Sequence, residues 1–471
     1  MLFSSSVFLF LFLPIVLFCY YIPFRRHRQG QNILLLIASL LFYAFGEPWF
    51  VLVMMGSIVA NWVFGLWAGR ARAAGRSVRM AVVCTAIFNL GILFIFKYLV
   101  FVLTNLNLLG FQFMIPVIEL PIGISFFTFQ AMSYALDVAR GDAEVQPSVF
   151  KVGLYVSLFP QLIAGPIVRY TTVADEIDHR RETWADFSSG VGRLLVGLGK
   201  KVLLSNQLAV VADMAFQDGH PSSTAFAWLG GACYILQLYY DFAGYSDMAI
   251  GMGRMFGFHF LENFNYPYTA TSVSEFWRRW HISLTTWFRD YVYIPLGGSR
   301  VDKRWKVVRN LFVVWLLTGI WHGANWTYIV WGLLNYALLM AEKYGGFARN
   351  FPKWIGRIYV FIAFLLTCVV FRSASIGEAG SYFQALLHIG VPGFSGDFIL
   401  YLREYAPIIL FAFVCAAPTA TWARRKLAGW KDGRLLPLWD GASAVCLLAI
   451  FVLSVAFIVK GTYNPFIYFN F

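Results

Sequence analysis

Apolar residues fall in long runs along this chain, and charged ones gather in the short gaps between them. A membrane-spanning helix needs roughly 20 mostly apolar residues. Residues 3–24 supply the first such run, which stops at Arg25-Arg26-His27-Arg28. Residues 33–45 form a shorter run that ends at Gly46-Glu47-Pro48. Residues 49–68 lead into a second basic cluster between Arg70 and Arg79, and residues 80–103 follow, interrupted by Asn89, Gly91 and Lys97. Basic residues mark the cytoplasmic ends of spans. With both clusters inside, the N-terminus lies outside and Glu47 sits near the outer face.

The regularity then degrades. Pro121-Ile-Gly-Ile-Ser125 opens a helix that runs to Asp137, and residues 153–163 carry Pro160 and close at Ala164-Gly165-Pro166. Proline, glycine and polar groups at membrane depth are tolerated only where protein or a water-filled cavity satisfies the freed backbone. Broken or re-entrant helices are therefore expected in this middle section. Residues 169–184 are charged and read as an aqueous loop, and 187–214 as an amphipathic or partly buried helix with Lys200-Lys201 at its centre.

In the apolar segment 225–256, steps of three to four residues put Gln237, Asp241, Gly244 and Met248 on one face. Acids facing lipid are costly, so that face lines a cavity or meets a basic partner, the alternative being a buried ion pair with an arginine. Residues 272–293 read as one amphipathic helix, with Phe276, Trp277, Trp280, Trp287 and Phe288 opposite Glu275, Arg278, Arg279 and Arg289. Such a helix lies in the interface plane or lines a cavity; His281 sits at the edge of the aromatic stripe. Apolar residues 311–320 lead into His322, Gly323 permits a break, and residues 326–340, 354–371, 406–422 and 441–460 complete the spans. The basic residues from Arg424 to Arg434 hold the last loop inside and return the C-terminus to the outside. The fold class is all-α: a polytopic membrane protein with about 11 to 12 spanning or re-entrant helices. No repeat or linker divides it. Residues 1–471 read as a single domain, with N-terminal helices over 1–110, a core over 120–345, and C-terminal helices with an aromatic tail over 350–471.

Composition agrees with the pattern. The chain has 471 residues, 59% hydrophobic, 19% aromatic and only 13% charged, where soluble domains carry about 25% charged residues. A net charge of +13 would suggest nucleic acid in a soluble protein; here the cations sit in short connections, as the positive-inside rule requires, and no nucleic-acid partner is expected. The six cysteines lie in apolar runs without a Cys-x-x-Cys spacing and read as small core residues, not disulfides or metal ligands. The N-terminal run lacks a basic n-region and reads as a retained helix, not a signal peptide.

Candidate chemistry centres on residues 317–332, Leu-Thr-Gly-Ile-Trp-His-Gly-Ala-Asn-Trp-Thr-Tyr-Ile-Val-Trp-Gly. His322 stands in the middle of this apolar stretch, between Trp321 and Asn325. An ionisable residue at membrane depth is a functional candidate by default; the alternative is a histidine packed in a protein core and satisfied by one hydrogen bond.

Ser274-Glu-Phe-Trp-Arg-Arg-Trp-His281-Ile-Ser-Leu, followed by Trp321-His322-Gly323-x-Asn325, resembles the membrane-bound O-acyltransferase family, in particular its bacterial branch that includes the alginate O-acetyltransferase membrane subunit. Leu120-Pro-Ile-Gly-Ile-Ser-Phe126, Ile163-Ala-Gly-Pro166, Asp241-Phe-Ala-Gly-Tyr245-Ser-Asp and the opening Phe3-Ser-Ser-Ser-Val-Phe also look like that branch, so the likeness covers nearly the whole chain. The resemblance implies a funnel-shaped helical core and acyl transfer from a thioester to a hydroxyl, with no bound cofactor. The donor it implies is acetyl-CoA or an acyl carrier. It makes His322 the general base, a task that suits an imidazole titrating near neutrality, and His281 a second histidine that orients a substrate or steadies the oxyanion. Trp321, Asn325, Arg278, Arg279, Gln237, Asp241 and Tyr245 become supporting or donor-binding candidates. The tail Phe466-Ile-Tyr468-Phe-Asn-Phe471 resembles a hexapeptide shared by this branch and by a small protein of teichoic-acid D-alanylation. The Tyr468 hydroxyl is thereby an acyl-relay candidate; the alternative is an aromatic interfacial anchor.

These likenesses imply a bacterial inner-membrane O-acetyltransferase for an exported polysaccharide, alginate- or cellulose-like, working with a periplasmic SGNH-hydrolase-like partner. Peptidoglycan is the alternative acceptor. A transporter would also tolerate broken helices and intramembrane acids, but no inverted repeat is visible; a non-catalytic scaffold for the partner is the third reading.

Overall fold

A computed structural model describes residues 1–429, 435–461 and 464–465. Every regular element among these residues is a helix, as expected. Six of the described helices are long and apolar enough to cross a membrane: Phe50–Ala73, Arg79–Leu108, Trp184–Ala215, Lys353–Arg372, Gly396–Cys415 and Leu436–Lys460. The described residues pack as two compact units, Met1–Leu194 with Tyr245–Leu261, and Leu195–Gly244 with Glu262–Phe471.

In the first unit nearly every residue of the helix Ile124–Arg140 is buried, and Phe50–Ala73 packs along it. Gly65 permits the close approach, because a Cβ there would lie 2.6 Å from the Tyr134 ring. Phe50–Ala73 is tied to Arg79–Leu93 by a reciprocal amide pair: Asn61 Nδ2 donates to Asn89 Oδ1 at 3.0 Å, and Asn89 Nδ2 to Asn61 Oδ1 at 2.8 Å. Polar pairs of this kind hold helices together where lipid offers no hydrophobic drive. The expected irregular stretch follows Val149–Ser157. Residues 158–168 are non-helical and buried, as membrane-depth backbone of this kind must be. The 169–184 segment differs from its reading as an aqueous loop. It is helical over Tyr170–His179, and Arg180 is buried because Asn32 Oδ1 at 2.7 Å and Tyr20 Oη at 2.9 Å accept from its guanidinium.

The second unit has a core built from Leu208, Tyr234, Tyr240, Phe276, Phe364 and Tyr382 with their neighbours. Two helices, Arg304–His322 and Trp326–Gly345, form a hairpin. They touch backbone to backbone: a Cβ on Gly332 would lie 2.5 Å from the Trp315 carbonyl oxygen, and one on Gly319 the same distance from that of Tyr328. The expected break falls at Gly323, where the Tyr328 ring would meet a Cβ at 2.2 Å. Two readings change here. Residues 272–293 are not one helix but two, Val273–Arg279 and Ile282–Phe288, because His281 between them takes a left-handed conformation. Residues 406–422 divide as Gly396–Cys415 and Thr419–Ala428, with Pro418 at the interruption. A helix not anticipated, Ile376–Leu386, is announced by the Ser-x-x-Glu pattern of residues 375–378: Ser375 Oγ caps the helix by accepting from Glu378 N at 3.1 Å, and Glu378 Oε2 accepts from the N–H of Ala374, the residue before the cap, at 3.1 Å.

His259, in the first unit and outside the spanning helices, lies between two carboxylates. Its Nδ1 is 2.7 Å from Glu176 Oε1 and its Nε2 is 3.5 Å from Asp186 Oδ1. Burial alone would lower its pKa, but the hydrogen bond and charge of Glu176, with Asp186 behind, hold it above the ordinary histidine value. A histidine raised in the folded state contributes its stability in full below the unfolded pKa of about 6.5 and loses it as pH climbs through the folded pKa. His259→Gln is therefore expected to lower the unfolding temperature in detergent at about pH 6, with the deficit shrinking towards about pH 9; a deficit constant with pH would contradict the assignment.

Candidate active site

The glycine contact in the hairpin fixes where three aromatic rings and one imidazole meet. His322 is the last residue of Arg304–His322. Its ring lies edge-on to Trp321, Trp331 and Phe371, with centroids at 4.9, 5.0 and 5.3 Å. Trp315, Trp331 and Phe371 form a small cluster of their own, and Trp277 joins it at 4.9 Å from Trp315. These side chains wall a cavity of about 440 Å³ that both His322 and His281 line. Trp321 packs against both imidazoles, with His281 at 6.1 Å.

His281 arrives by a different device. Its φ of 45° is in the left-handed region, which costs a side-chain-bearing residue on the order of 1 kcal/mol or more. Asn263 offsets that cost. Its carbonyl accepts from Ile282 N at 2.9 Å, and its Oδ1 accepts from Ser283 N at 3.2 Å and Ser283 Oγ at 2.9 Å. The backbone N–H of Ser283 can only donate, so the amide orientation of Asn263 is settled. His281 Nδ1 lies 3.3 Å from the same Oδ1 and 3.5 Å from Ser283 Oγ; a proton on Nδ1 donated to Oδ1, with the lone pair on Nε2, is the tautomer that suits this acceptor. His281 is 2% exposed, and burial disfavours the charged form of its imidazole. Phe242 stacks edge-on at 4.6 Å and closes its other side. Asn263 carried no signal in the sequence: a single asparagine in a loop between helices becomes legible only once the loop has folded.

The remaining candidates separate. Arg278 and Arg289 are exposed and line the cavity, so positive charge stands at its rim; Arg289 is paired with Asp290 at 2.6 Å. Arg279 turns instead to Glu275 at 2.8 Å and does not line the cavity. Asn325 caps the next helix, accepting from Thr327 N at 3.1 Å and donating to the Ala374 carbonyl at 2.9 Å. Gln237 and Asp241 are buried; Asp241 faces Lys201 at 2.6 Å, a lysine where an arginine was expected, and Leu238 between them lines the cavity. Tyr245 belongs to the first unit, stacked on Phe3 at 4.3 Å. Tyr468 and residues 466–471 lie outside the described residues.

Residues 139–374 match the sequence model of the membrane-bound O-acyltransferase family. The chain is 44% identical over 398 residues to a probable alginate O-acetylase of Pseudomonas aeruginosa, covering 83% of this chain and 75% of that protein. It is 38% identical to a probable alginate O-acetylase of Pseudomonas putida over 100% of both chains. It is also 32% identical to a peptidoglycan O-acetyltransferase of Helicobacter pylori, over 100% of this chain and 98% of that one.

Because the hairpin contact sets the His322 cage, Gly332→Ala is expected to cost about 1–3 kcal/mol by overpacking. Gly345→Ala, on the same helix with nothing within 4 Å of the added Cβ, should leave stability unchanged. Unfolding temperatures of the two purified variants check this; equal temperatures would remove the contact from its assigned role.

Proposed function

The chain belongs to the membrane-bound O-acyltransferase family, and from that premise we propose that it moves acetyl from a cytoplasmic thioester across the inner membrane for O-acetylation of an exported, alginate- or cellulose-like polysaccharide. The observation that carries the proposal is that His281 and His322 line one aromatic-walled cavity within the stretch that matches the family.

The donor, acetyl-CoA or an acyl carrier, approaches the rim where Arg278 and Arg289 stand exposed. The basic residues of the loop that follows, Arg300 to Arg309, mark that side as cytoplasmic; both termini then lie in the periplasm. In the cavity His322 takes the proton of the acceptor hydroxyl as its oxygen attacks the thioester carbonyl carbon. The tetrahedral intermediate collapses, the carbon–sulfur bond breaks, and the thiolate leaves with the proton held by His322. Without that base an alcohol is a poor nucleophile. His281 orients the attacking hydroxyl: its Nδ1–H is engaged by Asn263, so its Nε2 offers an acceptor and not a donor. Steadying the oxyanion falls to other groups.

The first acceptor is the Tyr468 hydroxyl. Its acetyl ester then passes the group to a periplasmic SGNH-hydrolase-like partner or to the polymer, so the acetyl crosses while the donor does not. This splits one transfer into two covalent steps. Full-length similarity to the peptidoglycan O-acetyltransferase makes peptidoglycan the alternative polymer.

His322→Ala is expected to lower polymer acetylation by about 10²–10⁴-fold with membrane insertion intact; undiminished acetylation would leave only a scaffold role. Tyr468→Phe, which deletes one hydroxyl, should abolish acetylation of the polymer, and persistence would remove the relay. Mass analysis of alginate-type polymer and of peptidoglycan from cells lacking the protein separates the two acceptors.

A further inference from the structure

Lys201 and Asp241 form an ion pair at 2.6 Å, with side chains 3% and 1% exposed. Two charges buried this deeply in membrane helices are retained for a reason. Breaking one partner would be strongly destabilising, yet an apolar pair of similar size would serve stability as well or better. Stability therefore does not account for them. A lysine ammonium has three donors, and Lys201 Nζ also donates to the carbonyl oxygen of Pro465. Next to it, Asn206 Nδ2 donates to Asn464 Oδ1 at 3.2 Å. Both contacts fall on the two residues that precede the aromatic tail.

The surrounding helices are built to bring these groups together. Lys200–Ser205 is a π-turn within Trp184–Ala215, a device that recurs at functional sites. Gly244, three residues after Asp241, lets the backbones meet, since a Cβ there would lie 2.8 Å from the Gly197 carbonyl oxygen. Gly199 admits the last spanning helix, with Ile450 2.7 Å from where its Cβ would be. Thr224–Met255 thus carries Asp241 towards Lys201, while its neighbours Leu238 and Phe242 face the histidine cavity and His281.

We infer that the Lys201–Asp241 pair, with Asn206, is a latch that holds the root of the C-terminal tail, Asn464–Pro465, against the helix that backs the histidine cavity. Lys201 and Asp241 are positioning residues on this view. Its use in catalysis rests on the Tyr468 relay proposed above; its geometry does not.

The test is hydrogen–deuterium exchange of the C-terminal peptide, residues 461–471, in the full-length protein in detergent. Lys201→Met with Asp241→Leu replaces the pair by apolar residues, and unfolding temperature verifies the fold. The expected result is an unfolding temperature close to the parent with exchange of that peptide about tenfold faster, accompanied by loss of polymer acetylation. Asn206→Leu leaves the ion pair intact, removes only the Asn464 contact, and should speed the same peptide to a smaller degree. Unchanged exchange in a folded double variant overturns the latch. If the double variant does not fold, unchanged exchange in Asn206→Leu does so. Faster exchange with undiminished acetylation keeps the latch and overturns the relay instead.

Discussion

The contact between Gly319 and Gly332 sets the distance on which the site depends. Inside a membrane, helices gain nothing from hiding apolar surface from one another, so small residues that let backbones touch decide how close they come. Here the closeness brings Trp315 and Trp331 to 6.0 Å and leaves His322, one turn beyond Gly319, among three rings. Tyr328 then occupies the space over Gly323, and Asn325 caps the returning helix. A side chain in place of either hairpin glycine would push on a backbone carbonyl, which cannot yield as a rotamer can.

The two histidines reach one cavity with different constraints. His322 ends a long helix, and the rings of Trp321, Trp331 and Phe371 pack edge-on around it. His281 is oriented by a hydrogen bond from a corner that Asn263 stabilises. The first arrangement gives a ring in apolar walls, where charge developing in a transition state is weakly screened. The second gives a defined tautomer. The two histidines are thereby distinguished by their supports, before any substrate is considered.

Much of this was legible in the residues. The apolar runs located the long helices, the break at Gly323 was foreseen, and the buried acid at Asp241 required a basic partner. What escaped depended on contacts distant in sequence. The helical spacing of residues 272–293 is real, but it cannot register that Asn263 captures the backbone at Ser283 and turns the chain through a left-handed corner. Charge made Arg180 look aqueous; Asn32 and Tyr20, far away along the chain, make its burial possible. Asn325 stood out as a supporting candidate through the motif it shares with His322, and the cap it forms beyond the break sends its amide to Thr327 and Ala374. Arg278 and Arg279 were indistinguishable as neighbours until Glu275 claimed one of them.

The positive φ at His281 has a consequence for how that position is probed. Few residue types accept a left-handed backbone without strain; asparagine and glycine are the main ones. An alanine there would report two quantities at once, loss of a ring nitrogen and backbone resistance to the corner. Asparagine or glycine keeps the corner and removes the ring, so comparing them with alanine separates the chemistry of the imidazole from the shape of the chain that presents it.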